Sequence, residues 1–432
     1  MLPPRIPVNK NELRHDGPDS GSCPASGVGL ASRLHRKGPD LLRVGFFHNL
    51  PTGGGIRVAS HQLNLLAGRY DWDIEVPDGS AAFIPDPGLN PRIWPFPAGR
   101  PLRGPRRMAA PVLLYGKLMA LTALCRRISA DMSSSGCSVL LSHPSMILYA
   151  PPILHMLDIP RIFYCHEYPR HLYEKGATKT PNHFTEMLIG PLLQLERRLD
   201  SRNARSAAFH LCNSTYTAGK VEKIYGRKTV VVRPGVDSSF FVPGGSVTGA
   251  FVMSVGALSP LKGHDLVIRA LSLIPVESRP TMLIAGDRGR PGYASALEAL
   301  ASRLGVGLTI LRGVSEKTML ECYRAARIVV CAQKAEPYGL VPLEAMSCCR
   351  PVVSVNEGGF PENIRDGETG LLVERRPEAL AGAISRLLSS PALCRALGEA
   401  GRRFVVTERD LRSHAEAVAS LIDRAAAGQS LF

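Results

Sequence analysis

Features that mark several classes of protein are missing from the 432-residue chain. Its ten cysteines include no C-x-x-C pair and show no metal-ligand spacing. The sequence therefore predicts free thiols in a reducing cytoplasm instead of a disulfide framework or a zinc site. The longest apolar run, Met108 to Cys125, is interrupted by Pro111 and Lys117, which argues against a transmembrane helix. No repeat with a period of about 20 to 50 residues is visible, which argues against a repeat architecture.

The N-terminus lacks the apolar core of a secretory signal. Residues 1–40 are instead rich in Pro, Gly, Ser and charge, so we expect a disordered tail outside the fold. The absence of a signal favours a cytoplasmic protein, and peripheral association with the inner face of the membrane remains open. With 45% hydrophobic residues, the rest of the chain is long enough for two domains that each have a core.

Acidic residues are scarce relative to basic ones. The chain has 52 Lys and Arg against 37 Asp and Glu, which gives a net charge of +15. Such an excess suits an anionic partner, which could be a membrane surface, a nucleoside diphosphate or nucleic acid. No recognised nucleic-acid motif is present, so nucleic acid is not expected.

The imbalance is strongest in residues 91–130, which hold eight Lys and Arg and no Asp or Glu. Ala109 to Ile128 has leucines near helical spacing and predicts an amphipathic helix. With Trp94 and Phe96 nearby, one interpretation is a segment that lies on an anionic bilayer. The other is a solvated arginine loop that leads into a helix packed on the core. The basic residues are Arg92, Arg100, Arg103, Arg106, Arg107, Lys117, Arg126 and Arg127.

Near the start of the first domain, a strand, a glycine-rich turn and a helix follow one another. Leu41 to Phe47 reads as the strand, His48 to Gly55 as the turn and Ile56 to Ala67 as the helix. This order opens many nucleotide-binding α/β domains, because glycines let the backbone approach a phosphate or sugar closely. An ordinary tight turn between a strand and a helix explains the same letters, and both interpretations stay open.

A second strand, loop and helix unit carries two carboxylates. Ile328 to Cys331 predicts a buried strand and Leu340 to Cys348 a helix. Glu336 lies in the loop between them, and Glu344 lies about one turn into the helix. The first helical amides have no partner within the helix and form an anion site. The helix dipole alone also favours glutamates at such a place, so the pair by itself does not establish a site.

The letters around these glutamates extend the pattern. EPYGLVPLEAM, RPVVS, GGFPENI and DGETGLLV resemble the retaining glycosyltransferases of family 4, also called glycosyl transferases group 1. The resemblance covers residues 41 to about 410. It implies an α/β protein of the GT-B fold, with two Rossmann-like parallel-sheet domains facing a central cleft. Residues 41–240 would form the acceptor-side domain and 241–408 the nucleotide-sugar-binding domain. Residues 409–432 would form a helix that returns towards the first domain.

The resemblance also implies the residues of the site. His166, in YCHEYPRHLYE, matches a histidine that contacts the donor sugar, and with Glu336 it is the expected catalytic pair. Lys262, in GALSPLKGH, matches the lysine of a lysine and arginine clamp on the donor diphosphate. The arginine position, five residues earlier, is Ala257, and Arg288 and Arg290 are candidates to replace the arginine. The other donor-binding residues expected are Gly53, Gly54, Gly339, Leu340, Val341 and Glu344.

The reaction implied is transfer of a hexose of the mannose or glucose type from a nucleoside diphosphate sugar, with retained anomeric configuration. The acceptor would be a saccharide or a lipid-linked sugar, as in polysaccharide biosynthesis. No cofactor or metal is expected. The D-x-D triplet Asp71-Trp72-Asp73 lies away from the donor motif and reads as a solvated turn and strand start. Two alternatives stay open: a GT-B sugar-nucleotide epimerase, and a non-catalytic nucleotide-sugar-binding partner subunit, which Ala257 makes conceivable.

Overall fold

A computed structural model describes residues 41–51, 53–78, 88–96, 110–174, 183–244, 251–286 and 289–430. The expected disordered tail and the side chains of Arg100, Arg103, Arg106, Arg107 and Arg288 lie outside the described residues. Within them the chain divides into two units. The N-terminal unit contains residues 41–233 and 414–430, and the C-terminal unit contains residues 234–413.

Apolar, largely buried strands of the N-terminal unit pair into one parallel sheet of seven strands among the described residues. Fully buried strands such as Val139–Ser145 are typical of sheets that helices cover on both faces. The strands are β1 (Arg43–Asn49), β2 (Asp71–Pro77), β3 (Arg92–Trp94), β4 (Val139–Ser145), β5 (Arg161–Cys165), β6 (Phe209–Cys212) and β7 (Thr229–Val231). The order along the sheet is β3-β2-β1-β4-β5-β6-β7.

Helices connect these strands, as a parallel sheet requires. In the first helix, Ile56, Ala59, Leu63 and Leu66 recur at helical spacing and form the buried face. The helices are α1 (Gly54–Leu66), α2 (Ala110–Ser134), α3 (Arg170–Tyr173), α4 (His183–Ser206) and α5 (Thr215–Tyr225), with a 3-10 turn at Pro152–His155. Ser214 caps α5 by accepting from the Thr217 amide at 3.0 Å, so this helix begins directly after Ser214.

The C-terminal unit repeats the plan with a six-stranded parallel sheet in the described part of the chain. Its strands are β8 (Phe251–Val255), β9 (Thr281–Ala285), β10 (Leu308–Leu311), β11 (Ile328–Cys331), β12 (Val352–Val355) and β13 (Leu371–Val373). Their order along the sheet is β10-β9-β8-β11-β12-β13. Its helices are α6 (His264–Ser272), α7 (Tyr293–Arg303), α8 (Glu316–Ala325), α9 (Leu340–Ser347), α10 (Phe360–Asn363), α11 (Pro377–Leu388) and α12 (Pro391–Glu408), with a 3-10 turn at Pro260–Lys262. Both sheets confirm the predicted pair of Rossmann-like α/β units.

The last helix, α13 (Leu411–Ala426), belongs with the N-terminal unit from His414 onwards. Its Val418 and Ile422 are fully buried in the same apolar cluster as Val44 of β1. The Tyr70 hydroxyl donates to Asp423 at 2.7 Å, which adds a polar attachment at the edge of this contact. Residues more than 300 positions apart in sequence therefore share one core.

The strand order reverses between β1 and β4 in one sheet and between β8 and β11 in the other. Ligands of open parallel sheets bind outside the carboxyl ends of the strands at such a reversal. The loops that leave β1, β5, β8 and β11 at this edge carry Gly53, His166, Lys262 and Glu336 respectively. In each unit, the topology therefore places the sequence-predicted residues at the ligand-binding edge.

The position of Trp94 differs from the interpretation in which the basic segment, residues 91–130, lies on a bilayer. Trp94 is only 6% exposed, so it cannot enter a bilayer. The guanidinium groups of Arg92 and Arg127 lie over its ring at 4.5 and 4.8 Å, and its indole N–H donates to Glu75. The indole is held inside by these contacts, which sequence spacing does not reveal.

Helix α2 has a core face and an outer apolar face. Leu118, Leu121 and Leu124 are buried, as a core-packed helix requires. On its other side, the apolar side chains Tyr115 and Met119 are 51% and 52% exposed. No helix among the described residues is long and apolar enough to cross a membrane.

Candidate functional site

An ion pair joins two loops of the C-terminal unit. Lys262 follows β8 and Glu336 follows β11, and Lys262 Nζ lies 2.8 Å from Glu336 Oε2. The side chains are 30% and 21% exposed, so the pair is open to solvent on one side. The charges that the sequence assigned to a diphosphate and to a sugar are therefore neighbours.

The Glu336 loop is held in place by the two glycines of the GGFPENI segment, Gly358 and Gly359. The Gly359 amide donates to the Glu336 carbonyl at 2.8 Å. Gly358 has φ +64°, and a Cβ there would lie 2.2 Å from the same oxygen. Because only glycine fits such an approach in the left-handed region, the GGFPEN segment fixes the backbone of Glu336. The segment's two glycines were the sequence signal for this contact.

Helix α9 begins directly after this loop and presents free amides. Gly339 caps it with φ +91°, and a Cβ on Gly339 would lie 2.7 Å from the Phe360 ring. The amides of Gly339, Leu340 and Val341 donate no hydrogen bond to any other described residue. Unpaired amides at a helix N-terminus, together with the helix dipole, favour a bound anion such as a phosphate.

Glu344 lies within α9 and is only 2% exposed. The Tyr323 hydroxyl donates to Glu344 Oε2 at 2.6 Å, which holds the carboxylate in place. The pKa of Cys331, the last residue of β11, reflects the charged groups near it. Burial raises its pKa, and so do the carboxylates of Glu336 and Glu344, whereas the Lys262 ammonium opposes the rise. All three groups are therefore close enough to Cys331 to affect its pKa.

The loop that carries Ala257 is organised by a histidine that sequence reasoning missed. His264 is buried, with Nδ1 3.0 Å from Ser254 Oγ and Nε2 3.3 Å from the carbonyls of Gly256 and Ala257. Burial lowers its pKa to about 4, so the ring is neutral and holds the loop by hydrogen bonds alone. The letters KGH contained this residue, but nothing in them showed that its ring points back to the loop.

Of the two candidates to replace the arginine at Ala257, only Arg290 lies among the described residues. The backbone of Arg290 is attached to the Ala257 loop, because its amide donates to the Leu258 carbonyl at 2.9 Å. A Cβ on Gly289 would lie 2.2 Å from that carbonyl, so glycine is needed for the approach. The Arg290 side chain is exposed and forms no ion pair with another described residue.

In the N-terminal unit, His166 lies just after β5 and is partly exposed. Its Nε2 lies 2.9 Å from His143 Nδ1, and its carbonyl accepts from the Asn213 amide group at 2.7 Å. A Cβ on Gly55 would lie 3.4 Å from the His166 ring. Gly55 therefore packs against the histidine, whereas Gly53 and Gly54 are exposed at the start of α1. Sequence reasoning named the two exposed glycines and missed the packed one.

Buried histidines surround this position. Burial and the neighbouring His414 and His48 lower the pKa of His166 to about 3. Burial lowers the pKa of His48 and His414 to about 4 and that of His143 well below its ordinary value. These rings are neutral at pH 7, so His166 can exchange hydrogen bonds with a ligand but carries no charge. Among the described residues, no three His, Cys, Asp or Glu side chains are grouped as metal ligands would be.

Comparison with known proteins gives a family for the C-terminal unit. Residues 237–404 match the family model described as glycosyl transferases group 1. A D-inositol 3-phosphate glycosyltransferase of Acidothermus cellulolyticus is 36% identical over 208 residues, which are 42% of this chain and 46% of that protein. One from Rhodococcus jostii is 33% identical over 208 residues, 43% and 46% of the two chains. The matched stretch spans about half the length of these relatives. Residues 237–404 belong to the group 1 glycosyltransferase family.

Solved structures extend the likeness to both units. Sucrose-phosphate synthase of Thermosynechococcus elongatus superposes with a TM-score of 0.70 at 19% identity, covering 90% of this chain and 100% of that one. Anabaena HepE, solved in complex with UDP-glucose, gives a TM-score of 0.67 at 18% identity, covering 88% and 99%. At this identity the likeness concerns the fold, and it confirms the predicted GT-B class.

Proposed function

We propose that the chain is a retaining glycosyltransferase that moves a hexose from a nucleoside diphosphate sugar to a saccharide or lipid-linked acceptor. One observation carries the proposal. The Lys262–Glu336 pair lies in the same unit as the unpaired amides of α9, at the carboxyl end of the sheet. A cation and helix amides suit a diphosphate, and carboxylates suit sugar hydroxyls. The relatives named glycosyltransferases and the UDP-glucose bound to HepE support the same ligand class.

Each residue has a chemical task in this proposal. When the bond between sugar and diphosphate breaks, negative charge grows on the diphosphate, and Lys262 and the α9 amides stabilise it. Glu336 accepts from hydroxyls of the hexose, and Glu344 accepts from those of the ribose. His166 exchanges hydrogen bonds with the substrate as a neutral ring, because its pKa is too low for it to act as a charged acid at pH 7. No metal is assigned a task.

The proposal also includes binding of the protein to a membrane surface that could carry a lipid-linked acceptor. We infer peripheral binding to an anionic membrane through the outer face of α2, where Tyr115 and Met119 are exposed and Arg126 follows on the solvent side. Such a face combines apolar insertion with attraction to anionic headgroups. Sedimentation with vesicles of phosphatidylcholine and phosphatidylserine tests this inference. We expect binding that falls on Met119→Glu, and equal binding to neutral vesicles would contradict it.

The reaction is tested first without an acceptor. If water takes the place of the acceptor, the donor is hydrolysed, and time-resolved proton NMR then shows which anomer of the free hexose appears first. With an α-linked donor we expect the α-anomer, and early appearance of the β-anomer would contradict retention. A panel of acceptors, including a phosphorylated polyol of the kind named for the relatives, then tests transfer.

The alternatives give different results in the same experiment. An epimerase would interconvert nucleotide sugars without releasing the nucleotide. A non-catalytic subunit would bind a donor tightly and neither hydrolyse it nor transfer the sugar. Either outcome would overturn the proposed transferase. Ala257, which stands in place of the expected arginine, is the observation that favours testing for a non-catalytic subunit.

A further inference from the structure

Two histidines of neighbouring strands share one hydrogen bond. His143 is the fifth residue of β4, and His166 directly follows β5, which pairs with β4 in parallel. Their rings are nearly parallel, with 5.1 Å between centroids and 13° between planes. His143 Nδ1 and His166 Nε2 are 2.9 Å apart. One of these nitrogens must carry the proton and the other must accept it.

Only two proton arrangements are compatible with neutral rings. Burial lowers the pKa of both histidines. The titratable groups that act on them are other histidines, which lower the pKa further. Each ring therefore holds one proton at pH 7. Either His143 donates through Nδ1–H and His166 accepts at Nε2, or His166 donates through Nε2–H and His143 accepts at Nδ1.

The second nitrogen of His143 decides between them. His143 is fully buried, and its Nε2 has no hydrogen-bond partner among the described residues. If His143 accepted at Nδ1, its Nε2 would carry a buried N–H with no acceptor. If His143 donates from Nδ1, its Nε2 carries only an unused lone pair. Buried N–H groups without an acceptor are rarer in proteins than under-used acceptors, which favours donation from His143.

We propose that His143 is a positioning residue that holds His166 in the Nδ1–H tautomer, so that His166 offers an N–H donor to an oxygen of the substrate. With Nε2 accepting from His143, the proton of His166 must lie on Nδ1. That nitrogen forms no hydrogen bond with a described residue, and the His166 side chain is partly exposed. The Nδ1–H form is the minor tautomer of a free imidazole, so it needs a neighbour such as His143 to hold it.

The tautomer stands by itself, whereas its use on a substrate oxygen rests on the proposed function. The first test therefore needs no substrate. In the full chain labelled with 15N-histidine, the His166 signals are assigned by their loss in His166→Gln. At pH 7 we expect Nδ1 to show the shift of a protonated nitrogen and Nε2 that of an unprotonated one. The reverse pattern would overturn the proposal.

Two replacements of His143 separate positioning from packing. The side-chain amide of Asn takes the place of Nδ1 and can still donate, so His143→Asn is expected to keep the Nδ1–H tautomer. His143→Leu cannot donate, and His166 is expected to revert to the Nε2–H form. Unchanged His166 nitrogen shifts in His143→Leu would contradict the proposal. If His143→Leu fails to fold, the wild-type and His143→Asn spectra still decide, since both must show a protonated Nδ1.

Kinetics then test the use of the donor. We expect kcat to fall roughly tenfold or more in His143→Leu with little change in the donor KM, and to recover in His143→Asn. Equal kcat values for the Leu and Asn variants would contradict a role in the reaction. A wild-type chain that shows the expected tautomer but no transfer or hydrolysis would overturn the proposed function and leave the tautomer intact.

Discussion

Lys262 and Glu336 form an ion pair in the C-terminal unit, with 2.8 Å between Nζ and Oε2. A diphosphate that binds Lys262 must therefore compete with the Glu336 carboxylate. The partial exposure of both groups keeps the cost of that competition small. The pair links two tasks, because the same carboxylate that restrains the lysine is the one proposed to bind the hexose.

Removing the negative charge of Glu336 is expected to improve binding of the free nucleoside diphosphate. In Glu336→Gln the lysine has no competing carboxylate, so we predict a roughly twofold to fivefold lower Kd by calorimetry. Turnover of the nucleotide sugar should fall in the same variant. Glu374→Gln is the control, since Glu374 pairs with Arg376 at 2.6 Å and is strongly exposed. A higher Kd for the diphosphate in Glu336→Gln would contradict the competition.

The bracing of Glu336 by Gly358 predicts a large effect of one methyl group. In Gly358→Ala the new Cβ would lie 2.2 Å from the Glu336 carbonyl oxygen, so the loop must move. We expect a loss of about 3 kcal/mol in the free energy of unfolding of the C-terminal unit and a loss of turnover.

Gly367 provides the matched control for Gly358. It has φ +73°, close to that of Gly358, but a Cβ there would meet nothing within 4 Å. Gly367→Ala should therefore lose only the cost of the left-handed backbone, about 1 kcal/mol, and keep its activity. Equal losses in the two variants, measured by urea unfolding, would show that the contact with Glu336 does not matter.

Cys349 occupies a backbone position that favours glycine. Its φ is +55°, and the hydrogen bonds from Cys349 to Met346 and from Arg350 to Ala345, both 2.9 Å, close α9 with a Schellman motif. We predict that Cys349→Gly raises the free energy of unfolding of the C-terminal unit by about 1 kcal/mol. Cys349→Ala removes the thiol but keeps the Cβ, so it should give no comparable gain. A gain in the alanine variant alone would contradict this explanation.

The buried His48 predicts a loss of stability in mild acid. Burial lowers its pKa to about 4, whereas the unfolded chain titrates near its ordinary value of 6.5. Between these values the unfolded state binds more protons, so stability falls as the pH drops through this window. The slope for one such histidine is about 1.4 kcal/mol per pH unit.

The variant His48→Asn isolates that contribution. Asn does not titrate, and its side chain can still accept from the Leu50 amide, as His48 Nδ1 does at 3.4 Å. We expect the free energy of unfolding of the N-terminal unit to fall less between pH 7 and pH 5 than in the wild type. The difference in slope decides, whatever the stability of the variant at pH 7. Equal slopes in urea titrations would show that His48 does not titrate as described.

Local patterns in the sequence predicted the elements that carry the site. The apolar strands and the amphipathic α1 were visible as periodicity, and α9 was predicted to within one residue at its C-terminal end. The resemblance then supplied roles for Lys262, Glu336, Glu344 and His166, and these roles stay predictions. These elements and residues were found from short-range spacing or from a run of consecutive letters, and a sequence shows both directly.

Long-range contacts could not be predicted, because no local pattern in the sequence links residues that lie far apart in it. Gly358 fixes Glu336 across 22 positions, and His143 reaches His166 across 23 positions, each from a different strand and loop. The burial of Trp94 also depends on Arg127, which helix α2 brings to the ring from 33 positions away. Such pairs follow from the sheet order, and the order is set by the whole unit, not by any one segment.

We propose that the C-terminal unit binds a nucleoside diphosphate sugar at α9, and thermal shift measurements test this claim most directly. Wild-type protein, Glu344→Gln and Lys262→Gln are each heated with UDP-, GDP- and ADP-sugars. A bound ligand stabilises the folded state by about 2.7 kcal/mol at a hundred times its Kd, which raises Tm. We predict that one nucleotide class raises the Tm of the wild type, and that both variants lose most of this rise. No rise in the Tm of the wild type with any donor at millimolar concentration, or an equal rise in all three proteins, would contradict the claim.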